Sequence, residues 1–317
     1  MVTVIIILLF ILFIVLFFLW LFGERGHIIL PSTKEVIKTL RSNKLFNLNS
    51  IHGYIYGRWT KEYINFAINY LLKSKKIGKK TKWSDSYHGK IITTDHAKKI
   101  IMLEESISFK NLEKVIPYPF ARDLILNVPL DIALYECSCR LARKNPCQPT
   151  QVCMVMGKIF VDFILEHHPK TSRRINQTEA LELIEAEHER GHIQTAWFKT
   201  AMLNRFYAIC NCCKCCCGGI DSMVNHGIPM LSSSGYVAKV DERLCKACGI
   251  CEKTCPFMAI RVNGIATINL DKCMGCGLCV DKCQNSAIVL KREETKGYPL
   301  DIELISKEVK VRSNIFI

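Results

Sequence analysis

The sequence predicts an α+β fold class: an N-terminal transmembrane helix, a mixed α/β cysteine-rich domain, and a small C-terminal α+β unit. Three observations carry this expectation. Val2 to Phe22 is an uncharged apolar run, 18 cysteines are spread over 317 residues, and residues 236–292 contain an internal repeat. The expected divisions are 1–23 as a transmembrane anchor, 24–235 as the cysteine-rich domain, 236–292 as the repeat unit and 293–317 as a tail. A hydrophobic content of 49% is enough for one large core or two ordinary ones.

In the repeat, Cys245, Cys248, Cys251 and Cys255 are followed by Cys273, Cys276, Cys279 and Cys283. The same C-x-x-C-x-x-C-x-x-x-C spacing occurs twice, offset by 28 residues. Three thiolates separated by two residues each can wrap one iron-sulfur cluster while the intervening amides point at its sulfides. Ala247, Gly249, Gly275 and Gly277 are small where the backbone must approach closely. Zinc modules separate their C-x-x-C pairs by a longer spacer, and a disulfide framework gives no reason for so regular a repeat.

On these residues the stretch resembles the bacterial two-4Fe-4S ferredoxin family, over about a fifth of the chain. The resemblance implies two 4Fe-4S clusters, single-electron transport and a redox partner protein. In that family the fourth cysteine of each run ligates the other cluster. One cluster is therefore expected on Cys245, Cys248, Cys251 and Cys283, and the other on Cys273, Cys276, Cys279 and Cys255. Pro256 follows Cys255 as the family pattern has it, whereas Gln284 stands where the second proline often sits.

The apolar run Val2 to Phe22 is long enough for a helix to cross a bilayer core of about 30 Å. No Lys or Arg precedes it and no small-residue cleavage site follows, which favours a retained anchor over a cleaved signal peptide. Arg25, Lys34, Lys38, Arg41 and Lys44 after the span place the cluster domains on the cytoplasmic side. The expected localisation is membrane, single-pass, in a reducing compartment that suits thiolate ligands. Residues 23–90 hold 14 Lys and Arg against four acids. Lys73, Lys75, Lys76, Lys79, Lys80 and Lys82 either rest on an anionic lipid surface or form a solvated loop. Basic-aromatic interleaving is lacking, so nucleic acid is not an expected partner.

Between anchor and repeat, the spacing predicts helices from Pro31 to about Arg41, Arg58 to Lys73, Thr94 to about Glu105 and Pro119 to about Asn127. Leu130 to Tyr135 alternates as a buried strand leading to Cys137, and Val155 to Leu165 reads as a core helix. Asn176 caps a helix that Gly191 ends. His188-Glu189-Arg190-Gly191-His192 spells H-E-x-x-H, but a helix stopping at Gly191 takes His192 off the shared face, so we read it as a chance match. Residues 291–317 alternate weakly and suggest an added strand.

Ten cysteines precede the repeat: Cys137, Cys139, Cys147 and Cys153, then Cys210, Cys212, Cys213, Cys215, Cys216 and Cys217. Cys210, Cys213 and Cys216 reproduce the three-thiolate spacing, with a fourth ligand available from Cys137, Cys139, Cys147 or Cys153. A third iron-sulfur cluster is the sharpest reading. A tetrathiolate zinc site, a redox thiol pair tuned by Arg140 or Lys214, and merely buried thiols stay open. The C-x-C-R segment, the cysteine-rich run and the C-terminal unit together also look like poorly characterised 4Fe-4S binding proteins, a resemblance that implies no reaction. The expected function is a membrane-anchored single-electron carrier. The alternative is an iron-sulfur oxidoreductase whose upstream cysteine module is the catalytic centre. Residues 236–296 hold ten basic and seven acidic side chains, unlike an acidic free shuttle, so a domain wired to a fixed partner is expected.

Overall fold

The computed structural model describes residues 2–23, 29–40, 48–72 and 83–315. The apolar run forms a helix, Val2–Phe22, whose described side chains run from Thr3 to Leu19 and are all exposed. Among the described residues no helix is long and apolar enough to cross a membrane. This corrects the expected transmembrane anchor in the fold class, the single-pass localisation and the membrane as a partner. The lysine cluster from Lys73 to Lys82 lies outside the described residues.

The central element is a seven-stranded sheet. Its strands lie among β1 (Tyr87–Ile92), β2 (Ile107–Phe109), β3 (Leu124–Leu126), β4 (Ile132–Glu136), β5 (Gln151–Met156), β6 (Ser172–Ile175), β7 (Ile193–Lys199), β8 (Arg205–Cys212) and β9 (Leu231–Ser232). The order is β6-β4-β5-β8-β7-β1-β9, with β2 and β3 paired separately. All neighbours in the large sheet are antiparallel except β1 and β9.

Side chains alternate between the two faces because the strand repeat is two residues. Ile132, Leu134, Met154, Met156, Ala196, Phe198 and Ile209 enter one core, under the helices Thr94–Ile101, Gln177–Glu189 and Ile302–Ile315. Ala133, Val155, Ile193, Trp197 and Cys212 enter the other, under Thr60–Phe66, Lys158–His167 and Gly218–His226. The buried cysteines of the C-terminal repeat belong to this second core.

Several local expectations shift by identifiable causes. The helix expected from Thr94 to about Glu105 ends at Ile101, and Thr93 caps it, accepting from the His96 amide at 3.3 Å. The helix expected to start at Arg58 is broken there: Leu48–Arg58 ends, Thr60–Phe66 begins, and a π turn follows over Ala67–Leu71. Pro119 opens no helix, since Leu124 and Leu126 are both buried at strand period against β2. The Val155–Leu165 stretch divides at Gly157, whose φ of 90° separates β5 from Lys158–His167. The tail is a helix, Ile302–Ile315, with Asp301 accepting from the amides of Glu303 and Leu304 at 3.0 and 3.2 Å. Asn176 caps Gln177–Glu189 and accepts from Glu179 at 2.9 Å.

Arg140 is fully buried and ties three elements together. Its guanidinium donates to Glu187 at 2.6 Å, to the Asn211 carbonyl at 3.2 Å and to the Pro149 carbonyl. His192 Nδ1 lies 2.7 Å from the same Glu187 oxygen, and Arg190 donates to the other at 2.9 Å. Burial pushes the Glu187 carboxyl up, but the bonds from His192 and Arg140 outweigh it and hold the group below its ordinary 4.5. Its stabilisation is therefore present above 4.5 and is lost as pH falls through the lower folded value. Arg140→Met leaves a buried carboxylate short of its main partner and is expected to cost about 3 kcal/mol in denaturant unfolding at neutral pH.

Candidate metal centres

The C-terminal unit is built from two hairpin-like pairs. β10 (Tyr236–Val240) pairs with β13 (Ile288–Arg292), and β11 (Ile260–Asn263) pairs with β12 (Ile265–Ile268). Two short helices, Ile250–Thr254 and Leu278–Asp281, each follow a left-handed glycine, Gly249 at φ 75° and Gly277 at φ 88°. Ala247 at φ 50° and Gly275 at φ 64° turn the chain inside each ligand run.

Two cavities are each framed by four cysteines. Cys245, Cys248, Cys251 and Cys283 line one; Cys255, Cys273, Cys276 and Cys279 line the other. Backbone amides aim at the thiols with the symmetry of the repeat. Ala238 donates to Cys273 at 3.4 Å and Ala266 to Cys245 at 3.5 Å, each crossing to the other half. Ala259 donates to Cys255 at 3.4 Å and Ala287 to Cys283 at 3.3 Å, each within its own half. All eight thiols are free of disulfides. Burial pushes the Cys276 thiol up to about 12 and Cys279 higher still, so thiolates here need a positive partner. Four free thiols facing one common space, with amides directed at sulfur, fit a cubane cluster.

Upstream, the sheet register brings the thiols to one face. Tyr135 sits opposite Cys153, Cys153 opposite Cys210, and Cys210 opposite Thr195. Cys212 shares the Cys210 face, two residues on. Tyr135, Cys153, Cys210 and Cys212, with Cys137, Cys139, Cys213 and Cys217, line a cavity of about 40 Å³. Cys217 and Cys212 lie 3.2 Å apart, Thr195 Oγ1 is 3.2 Å from Cys212, and Trp197 Nε1 donates to Thr195 at 2.8 Å. Hydrogen bonds from Cys139 and Cys153 hold the Cys137 thiol well down; Cys139 and Cys153 are pushed up in return.

Cys210 and Cys216, expected in one ligand triad, are separated. Cys210 faces the cavity, while Cys216 lies with Cys147 and Cys215; Cys213 borders both groups. The other wall of the cavity was not visible in the sequence: Tyr56, Tyr87, Tyr135, Tyr207 and Trp197. Only Tyr135, two residues before Cys137 on the strand, carried a signal. The H-E-x-x-H residues form no shared site. His188 contacts Thr94 and Asp281 at 3.0 and 2.8 Å, while His192 lies beyond Gly191 in the Arg140 network.

Residues 238–261 and 266–289 each match the 4Fe-4S binding domain model. No curated protein and no solved structure matches the chain. The C-terminal repeat is thus a ferredoxin-like domain that binds two 4Fe-4S clusters, and the chain has an iron-sulfur electron-transfer role.

Two substitutions test this geometry. A Cβ on Gly275 would lie 2.1 Å from the Tyr236 carbonyl oxygen and 2.4 Å from Ser234 Oγ, in a left-handed conformation. Gly275→Ala is expected to lower the iron content of the anaerobically purified chain by about four atoms, the complement of one cubane. Lys199 is buried with its Nζ 3.6 Å from the Tyr56 ring centre and 4.3 Å from Tyr87, and burial holds its pKa well below 10.5. Between that depressed value and 10.5 the unfolded chain binds the extra proton, so this residue makes stability rise with pH. Lys199→Met should raise the denaturation midpoint at neutral pH and flatten the difference between about pH 8 and about pH 10 relative to the parent.

Proposed function

We propose that the chain passes single electrons between a partner protein and the buried thiol cavity of residues 24–235, through the two clusters of residues 236–292. We assign one cluster to Cys245, Cys248, Cys251 and Cys283 and the other to Cys273, Cys276, Cys279 and Cys255. A further iron-sulfur centre occupies the cavity, on ligands drawn from Cys137, Cys139, Cys153, Cys210, Cys212 and Cys217. Each cluster, when bound, takes up or gives one electron at a potential set by its exposure and by amide hydrogen bonds to sulfur.

The observation that carries the proposal is the packing between the ferredoxin-like unit and the sheet. Ser233 Oγ donates to the Met274 carbonyl at 3.2 Å and Ser234 Oγ to Gly275 at 2.6 Å, fixing a ligand loop on the segment that follows β9. Leu231 of β9 and Trp197 meet over Gly89 and Gly219, where an added Cβ would strike both side chains. Trp197 in turn lines the thiol cavity. Trp197, Leu231 and Met274 thus belong to one core that joins ligand loop and cavity wall.

A second reading, an oxidoreductase with its catalytic centre in the cavity, is favoured by the cavity's lining. Four tyrosines and Arg140 stand beside the thiols, a set able to hold or move protons near a reduced substrate. Under this reading the two clusters supply electrons to that centre.

Anaerobic iron and sulfide counts with an EPR-monitored redox titration test the proposal. About twelve irons and a third signal are expected, and Cys153→Ser combined with Cys210→Ser should remove about four irons and that signal. About eight irons, unchanged in the variant, would remove the cavity centre and leave a two-cluster carrier. Fewer than about four irons after reconstitution would overturn the carrier reading altogether.

A further inference from the structure

We propose that Cys147, Cys213, Cys215 and Cys216 form a mononuclear tetrathiolate site for one zinc-class divalent cation, separate from every iron-sulfur centre. Their four sulfur atoms lie within 4.8 Å of one another. Four thiolates at about 2.3 Å from a tetrahedral ion stand about 3.8 Å apart, the scale of this group. Cys147 and Cys215 sulfurs are 2.7 Å apart, and those of Cys215 and Cys216 are 3.5 Å apart.

The ferredoxin-like sets provide the comparison within the same molecule. They frame two separate cavities, and no four of their sulfurs close within 4.8 Å. A cubane must place a four-iron core between its ligands, which the Cys147 group leaves no room for. Among the described residues it is also the one group of three or more metal-ligating side chains this close.

The chain builds this site from a turn. β8 ends at Cys212, Cys213 through Cys216 turn, and Cys217 precedes the helix Gly218–His226. The turn sends Cys213, Cys215 and Cys216 to one side and leaves Cys212 and Cys217 on the cavity. Adjacent Cys215 and Cys216 therefore serve together, which an extended backbone would forbid. Cys147 arrives from a loop 68 residues away in sequence.

The surroundings suit a bound cation with a net negative ligand set. The Cys147 amide points at Cys216 Sγ from 3.5 Å, in the manner of groups that orient metal ligands. Arg143 donates to the Cys216 carbonyl at 3.2 Å and pairs with Asp221 at 2.8 Å, holding a positive charge beside the site. Cys213 and Cys216 are buried, Cys147 is half-buried and Cys215 is exposed, so a cation has an entry path. Four protein thiolates leave no open coordination position, which is the pattern of structural sites. Binding converts four thiols to thiolates, with four protons released to solvent and no change in oxidation state.

The role follows from what the site joins. It pins the loop carrying Cys147 to the turn after β8, and both limbs continue into the cavity wall, at Cys139 on one side and Cys212 and Cys217 on the other. A single ion there acts as a staple on the thiol cavity.

The test uses the full chain purified anaerobically, with zinc and iron counts, and cobalt(II) added to metal-stripped protein. About one zinc per chain is expected, and cobalt should give the thiolate charge-transfer and intense visible bands of tetrahedral coordination. Cys147→Ser with Cys215→Ser should lose that one equivalent and those bands, keep its iron count, and lower the melting temperature. Loss of about four irons from the same variant would assign the cysteines to a cluster instead. A wild-type chain with neither zinc nor cobalt bands, or with Cys147 and Cys215 found as a disulfide after alkylation under denaturing conditions, overturns the proposal. Where the double variant does not fold, the cobalt spectrum of the wild-type chain decides.

Discussion

The strand register is the constraint on which the rest depends. Tyr135, Cys153, Cys210, Thr195 and Ile91 form one row across β4, β5, β8, β7 and β1. A slip of one residue in any pairing would turn a cysteine from the cavity into the opposite core, where Met154, Ile209 and Ala196 now pack. The apolar residues on the two faces therefore specify the thiol positions as firmly as they specify the fold. The cavity exists because the same alternation that buries Val155 and Trp197 also buries sulfur.

The second core couples the halves of the chain. It runs without a break from Tyr56 and Phe160, through Trp197 and Leu231, to Phe257, Leu278 and the buried ligand cysteines. The ferredoxin-like domain is thus packed onto the sheet and not hung from a linker. The segment after it also returns to the sheet domain, since Ile302 and Ile305 of the last helix lie in the opposite core. Hydrogen bonds to the helix Gln177–Glu189 reinforce the contact: Lys282 donates to the Glu189 carbonyl at 2.8 Å and Asp281 meets His188 at 2.8 Å.

Charge is managed around sulfur by buried cations. Arg140 stands beside the cavity with its carboxylate partner Glu187, and Arg143 stands beside the outer cysteines with Asp221. Lys199, in its cage of tyrosine rings, and Lys90, lowered by desolvation to about 7, give up their protons more readily than exposed lysines, so the arginines carry the positive charge. Thiolates and clusters are anionic, so positive groups close to them favour the ionised ligand and the reduced cluster.

The sequence by itself determined the two-cluster unit. Its ligands, tight glycine turns and flanking strands lie within one short repeat, so local spacing is nearly the whole of its geometry, and the Asn176 cap and the Gly191 stop were legible for the same reason. The reading of Val2 to Phe22 as a span failed against the helix described, and the strand expected near Ile302 became a helix because Asp301 capping and burial at Ile302 and Ile305 outweighed weak alternation. Only the tertiary structure decided how the ten upstream cysteines divide. The C-x-x-C spacing suggested that Cys210, Cys213 and Cys216 act together, yet that inference holds only where the backbone wraps a common centre. Here a strand ends and a turn begins between them, so Cys210 is fixed by pairing with Cys153 and Thr195, whereas Cys216 is fixed beside Cys147 by a turn. Partners brought together over such separations are chosen by sheet register and packing, which residue spacing along the chain does not encode.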